Sequence, residues 1–472
     1  GLDAVGLQRY AFQIGEYLPD PDLGVASILA DLAQGGMAER AFDLAERQRA
    51  RLLFEKMILA EIVRSREVSE PGGLSSVPVA PRPLGAAEVR EAIPDSSTAL
   101  VEFVTGNGGE PTSAFILTRD GVRFVALPPA DSLEREMGLL RSLAESGGNI
   151  SPLAARLGRS LLQPVVDALP RSVSRLILVP GGPLHQLPFD LLEVAPGLPL
   201  LARFALALAP SASVFTRLVQ TSNAPPSAFL VLGDPQLLDP APALSRLPGA
   251  SREARAVAGF GHPSSLHLGP EASETAFREG LSMNPGVVHL ATHALMDESS
   301  LAATYLLLAP DDGNDGFVNP GEIARLSLPS SLVVLSGCRT AGGAVVRGEG
   351  VQGLTAPFLQ AGARAVMATQ WPMEDRAGLR MIRDFYQALA LGREVGQAMQ
   401  ASKLAARERG DPPSVWAAFT LVGDPTVRIP AIQPSWWQAA PWEMEGARWP
   451  LLVVLLGLLG WMGFRLVMRR QV

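Results

Sequence analysis

Two apolar runs in this 472-residue chain end in residues able to do covalent chemistry. The run "VVHLATH" closes on His293, and "LVVLSGC" closes on Cys338, the only cysteine, 45 positions further on. A thiol becomes a strong nucleophile once a base removes its proton, and an imidazole can take that proton and later pass it to a leaving group. A thiolate attacking a carbonyl also needs N–H donors for the oxyanion that develops. The turns after the two runs can provide these from the backbone amides of Ala294 and Cys338. A lone cysteine at a strand end is ordinarily a small buried hydrophobe. A lone histidine there is also more often structural, so an imidazole and a thiol at two such ends leave two readings open, a pair of core residues or a pair that cleaves an acyl bond.

Such a pair works only if strands hold it. "TALVEFVT" (98–105), "SAFILT" (113–118) and "VRFVAL" (122–127) read as a strand meander turning at Arg119-Asp120-Gly121. Further strand candidates are "SRLILVP" (174–180), "SAFLVLGDP" (227–235), "GVVHLATH" (286–293), "ATYLLLAP" (303–310), "SLVVLSG" (331–337), "ARAVMATQW" (363–371) and "AFTLVGDP" (418–425). Helical spacing is expected near 131–168 and over 251–258, 272–281, 350–361, 375–391 and 394–409. Apolar strands alternating with helices predict an α/β fold with a mostly parallel sheet covered on both faces. In such sheets reactive groups gather beyond the carboxyl ends of neighbouring strands, which is where His293 and Cys338 stand.

Ahead of this region, residues 26–66 read as helix, enough for about one helical hairpin. "EPGGLSSVPVAPRPLG" (70–85) reads as a linker. The expected organisation is a helical segment (1–69), the linker (70–85), two α/β halves (86–240 and 241–430), a tether (431–448) and an apolar span (449–468). The chain begins at Gly1 without Met and is expected to be part of something longer.

Composition narrows the alternatives. Apolar residues make up 47% and charged residues 18%, the profile of a globular chain rather than a disordered one. A net charge of −7 with no Lys/Arg block argues against nucleic acid as a partner. One cysteine excludes an intrachain disulfide framework and any metal site built on a cysteine pair.

Four motifs in order, "VVHLATHA", "LVVLSGCRTA", "GEGVQGLTAPFLQAGARAVMATQWPMED" and "AFTLVGDP", resemble the CHAT family. Its members are caspase-like clan peptidases, relatives of separase, often joined to tetratricopeptide repeats. "LILVPGGPLHQLPFDLL" (176–192) and "FALALAPSAS" (204–213) look like the family's amino-terminal half, and "AFDLAERQRARLL" like the last repeat helix before it. The likeness covers roughly residues 35–430. The gap of 45 between His293 and Cys338 is close to the caspase spacing of about 50. The resemblance implies a caspase-like sheet, His293 as general base, Cys338 as nucleophile, a protein substrate and no cofactor. It also leaves open a second class, a catalytically silent adaptor that keeps the fold for protein binding. The family usually carries Gly after the histidine, where this chain has Ala294; the oxyanion amide survives the exchange.

Recognition of a basic side chain needs a carboxylate. Glu374 and Asp375, after "ARAVMATQW", stand where the family repeatedly carries an acidic residue, and Asp297 is the rival. Backbone at Thr369-Gln370-Trp371 is a candidate for pairing with an extended substrate. Other motifs read as structural. "GEGVQG" (348–353) is a loop opening a helix, "DDGNDGFVNPGE" (311–322) a hairpin turn, and "VLGDP" and "LVGDP" strand-then-turn pairs. His289 shares a strand face with His293 but finds no third ligand, so a core or supporting role is expected and no metal. His185, His262 and His267 read as structural.

The C-terminus carries a separate signal. "WPLLVVLLGLLGWMGF" (449–464) holds 16 uncharged residues, and counted to Met468 the segment has 20. That suffices to span about 30 Å as a helix. Trp436, Trp437, Trp442 and Trp449 crowd one end and Arg465, Arg469 and Arg470 the other. By the positive-inside rule the arginines are expected to leave the short tail in the cytoplasm and residues 1–448 outside, in a periplasm, which requires an export signal on a longer precursor; the competing model is a tail anchor with residues 1–448 in the cytoplasm.

Overall fold

The computed structural model describes residues 25–47, 49, 53–60, 82–106, 109–220, 226–237, 247–295, 304–328, 332–337, 344–346, 350–372, 375–430 and 432. Its strands are β1 (Thr98–Val104), β2 (Thr112–Thr118), β3 (Gly121–Leu127), β4 (Arg175–Val179), β5 (Glu193–Ala195), β6 (Leu198–Pro199), β7 (Ala205–Leu208), β8 (Phe229–Pro235) and β9 (Ser264–Gly269). They continue with β10 (Val287–Ala291), β11 (Ala294–Leu295), β12 (Tyr305–Leu307), β13 (Phe317–Val318), β14 (Leu332–Leu335), β15 (Ala344–Val346), β16 (Gly350–Gln352), β17 (Ala365–Thr369) and β18 (Phe419–Gly423). Eleven of them form one sheet in the order β3-β2-β1-β4-β7-β18-β17-β14-β10-β8-β9.

The meander β1-β2-β3 is antiparallel, and β1 then pairs in parallel with β4, and β4 with β7. On the other side β9, β8, β10, β14 and β17 are all parallel neighbours, with β18 antiparallel to β17. The near-continuous apolar runs follow from burial of both faces. Ile177, Val231, Val287, Val334 and Met367 pack on one face, while Leu178, Leu232, Val288, Val333 and Val366 pack on the other.

Helices used below are α1 (Val25–Gln34), α2 (Ala38–Glu46), α3 (Ala212–Gln220), α4 (Pro248–Ala258), α5 (Asp375–Ala390) and α6 (Val395–Glu408). The stretch read as one helical region over 26–66 is broken. Gly35-Gly36 separates α1 from α2, with Gly36 at φ 83°, and residues 53–60 form a separate helical stretch. Gly36 can take that left-handed conformation without the penalty of a Cβ.

Three further details differ from expectation. The 350–361 stretch begins as β16 and becomes helical only from Thr355. β12 leaves the main sheet and pairs with β11 and β13. The central strand β7 lies within "FALALA", and its four residues Ala205–Leu208 include no β-branched side chain. Among the described residues no helix is long and apolar enough to cross a membrane. The expected span 449–468 lies outside the described residues.

Candidate functional site

Leu290 on β10 pairs with Leu335 on β14. Beyond that rung, the Ser336 amide donates to the Leu290 carbonyl at 2.9 Å. His293 stands three residues past Leu290, and Cys338 three residues past Leu335. The chain is described as far as Gly337; Cys338 lies outside the described residues, as do Asp297 and Glu374.

His293 is held from its backbone. Its carbonyl accepts from the Leu307 amide at 3.0 Å. The preceding Thr292, 1% exposed, donates its hydroxyl to the Leu307 carbonyl. Ala294 then opens β11 opposite Leu306. The small β11-β12-β13 sheet therefore fixes the turn that carries His293, which remains partly exposed.

On the other flank the Thr369 hydroxyl, at the end of β17, donates to the Gly337 carbonyl. Thr292 and Thr369 are supporting residues that sequence reasoning passed over. The available signal was a hydroxyl closing each apolar run, "LAT" and "MAT".

Gln370 and Trp371 are placed differently from expectation. β17 lies between β14 and β18 and so is not an edge strand. The Gln370 amide donates to the Ala418 carbonyl at 2.8 Å, and its carbonyl accepts from Arg141 at 3.2 Å. Trp371 is fully buried with its indole N–H on the Ser414 carbonyl at 2.9 Å. The backbone at 370 is thus spent on the fold, and the Trp371 side chain sits in the core. Asp375 begins α5.

The remaining histidines have other work. His289 lies fully buried between Glu253 of α4 (Nε2 to Oε1, 3.0 Å) and Tyr386 of α5 (Nδ1 to hydroxyl, 3.2 Å). An ionised Glu253 can only accept, so Nε2 carries a proton; a neutral ring then accepts from the Tyr386 hydroxyl at Nδ1. Burial, reinforced by the Glu253 charge, pushes the Tyr386 phenol well above its ordinary value. His267 pairs with the Ser265 hydroxyl at 2.8 Å. His185 sits in the 3-10 turn Gly182–Gln186, and burial beside Arg49 pushes it down to about 3.

Among the described residues no group of three or more His, Cys, Asp or Glu could hold a metal ion. In the acidic turn at 311–316, Asp311 accepts from the amide of Thr275, in the first turn of the Glu274–Leu281 helix, at 2.9 Å. A hydrogen bond from Asn314, then one from Ser273, hold its carboxyl down at about 2.

A family model described as "CHAT domain" matches residues 151–424. Tetratricopeptide repeat protein 28 of Homo sapiens is 29% identical over 298 residues, 53% of this chain and 12% of that protein. Its Mus musculus counterpart is 28% identical over 303 residues, again 53% and 12%. The chain thus spans about an eighth of the length of these curated relatives. Two structures of the Saccharomyces cerevisiae separase–securin complex superpose with TM-scores of 0.58 and 0.59 at 10% identity, covering 89% of this chain and 37% of theirs. At that identity the likeness is one of fold.

Proposed function

This chain belongs to the CHAT domain family, and from that premise we propose that it is a cysteine endopeptidase in which His293 serves Cys338. The observation that carries this reading is the register of β10 and β14. Leu290 and Leu335 face each other, and each reactive residue follows its leucine by three. Neighbouring strands run about 4.8 Å apart, which supports expecting the residues that follow this rung within side-chain reach of each other.

In the proposed reaction His293 takes the Cys338 thiol proton. The thiolate forms a bond to the peptide carbonyl carbon, and the amides of Ala294 and Cys338 face the oxyanion. Collapse breaks the C–N bond, and the amine leaves with the proton from His293. Water, deprotonated by the same imidazole, then hydrolyses the thioester and restores the thiol. The substrate is protein, and an upstream repeat region would bind a protein activator.

The test is covalent labelling with an electrophilic peptide probe, together with proteome-wide N-terminomics comparing wild type and Cys338→Ala. Labelling at Cys338, lost in Cys338→Ala and at least about 100-fold weaker in His293→Ala, is expected from general base catalysis. A folded wild type that takes no label and generates no new N-termini would instead be an adaptor.

A further inference from the structure

Glu102 sits in the middle of the sheet on β1, fully buried, and no hydrogen-bond donor among the described residues reaches either carboxyl oxygen. The nearest cation, Arg49 Nε, is 3.6 Å away, beyond hydrogen-bond range. The other Arg49 nitrogens are engaged by the carbonyls of Val179, Pro180 and Phe103. A second fully buried carboxyl, Glu46 at the end of α2, lies one turn before Arg49, whose amide donates to the Glu46 carbonyl at 3.0 Å, and its charge acts on Glu102. The two differ in their surroundings. Glu46 accepts from the Ser213 amide at 2.6 Å and the Ala212 amide at 3.4 Å, at the N-terminus of α3, where amides and helix dipole favour a negative charge. Glu102 has no such donors.

Two ionised carboxylates are both acceptors and cannot bond to each other, and a bare buried charge is very costly. We propose that Glu46 and Glu102 share one proton, carried by Glu102, and that this acid–carboxylate pair over Arg49 is the latch holding the α1–α2 hairpin on the sheet. Losing the proton opens the latch.

The surrounding charges support the assignment. Burial first, and then the Glu46 charge, drive the Glu102 carboxyl well above the ordinary carboxylate range. The strands beside Glu102 place Phe115 and Val179 opposite it, neither titratable. His185 is held neutral by its low value and adds no second cation. Arg175 of β4 lies at the other end of that strand, paired with Asp95 and Glu394. Full ionisation would therefore bury two negative charges against one positive. The site also has no spare room. A Cβ on Gly181 would fall 2.4 Å from the Phe103 carbonyl and 2.7 Å from Arg49.

The sign follows from linkage. A carboxyl raised in the folded state contributes stability that is full below its unfolded value, about 4.5, and is lost as pH rises through the folded value. Docking of α1–α2 therefore weakens toward alkaline pH, by up to tenfold per pH unit for one proton.

This inference does not rest on the peptidase reading, and it is tested on the full chain by hydrogen exchange from pH 6 to 10. Protection factors of residues 25–46 are expected to fall with pH in wild type. In Glu102→Gln, where an uncharged amide donates to Glu46, they should stay flat. Infrared difference spectra of wild type give a second readout that needs no variant. The carbonyl band of a protonated carboxylic acid should be present at pH 7, persist while protection falls, and disappear only where protection levels off. Equal slopes in wild type and Glu102→Gln, or absence of that band at pH 7, would overturn the latch.

Discussion

His289 is sealed between Glu253 and Tyr386, whereas His293, four residues further on, stays partly exposed where β10 has ended. Both lie in the same apolar run, His289 inside β10 and His293 past its end, and the packing of α4 and α5 makes the first a core imidazole. The same scale holds the specificity proposal. Glu374 and Asp375 come five and six residues after Thr369, the last residue of β17, whose hydroxyl donates to the Gly337 carbonyl that precedes Cys338. We propose that this acidic pair favours Lys or Arg at the cleaved position, with Asp297 as the rival carboxylate. The double variant Glu374→Gln/Asp375→Asn is expected to lower kcat/KM for basic peptides by about 10- to 100-fold, the size of a lost charge-assisted contact. Turnover of apolar peptides should hardly change; an equal loss on both substrate types refutes the pair.

At the scale of elements, the site is a joint between three parallel strands and a small three-stranded sheet. β10 and β14 provide depth, β11–β13 fix the turn at His293 through the Leu307 amide, and β17 reaches across with Thr369. Thr369 is 3% exposed and Gly337 partly exposed, so replacing the hydroxyl removes one donor from the Gly337 carbonyl. Thr369→Val is expected to destabilise the fold by about 0.5–1.5 kcal/mol. Under the peptidase reading it should also depress kcat more than KM by loosening the chain at Gly337, the residue before Cys338, while Thr369→Ser retains both. A denaturant melt and peptide kinetics on the three proteins check this. A valine variant that is less stable yet turns over normally shows that the hydroxyl serves the fold alone.

The whole molecule joins two halves in one sheet. The β3-to-β7 side and the β17-to-β9 side meet at β18, and Arg141 of the Ala130–Glu145 helix bridges them, donating to the Gln370 carbonyl and approaching Gln186 at 3.5 Å. For the chain beyond the described residues we propose a single-pass anchor at 449–468 with residues 1–448 outside the cytoplasm. The observation behind it is Arg465, Arg469 and Arg470 on one side against Arg448, Glu443 and Glu445 on the other. With one new cysteine at Ser435 in a Cys338→Ala background, a membrane-impermeant maleimide should label intact spheroplasts. Labelling only after lysis puts the catalytic region in the cytoplasm.

Much of this architecture was legible because local rules write it into the chain. Continuous apolar runs such as "LILV" and "LVVL" require burial on both faces, so a parallel-rich sheet follows from residue types alone, and its reactive edge follows from where those runs stop. Gly35-Gly36 likewise marks a break that a finer reading of "QGGM" would have found. What local rules do not carry is partnership between distant segments. Nothing in "FALALA" says that it is a central strand, because its pairing energy comes from β4 and β18. Nothing around Trp371 says that β18 will occupy the edge beside it. Glu46 and Glu102 are 56 positions apart and each reads as an ordinary surface acid; only the tertiary packing of α2 against the sheet buries both, and desolvation then forces one of them to keep its proton.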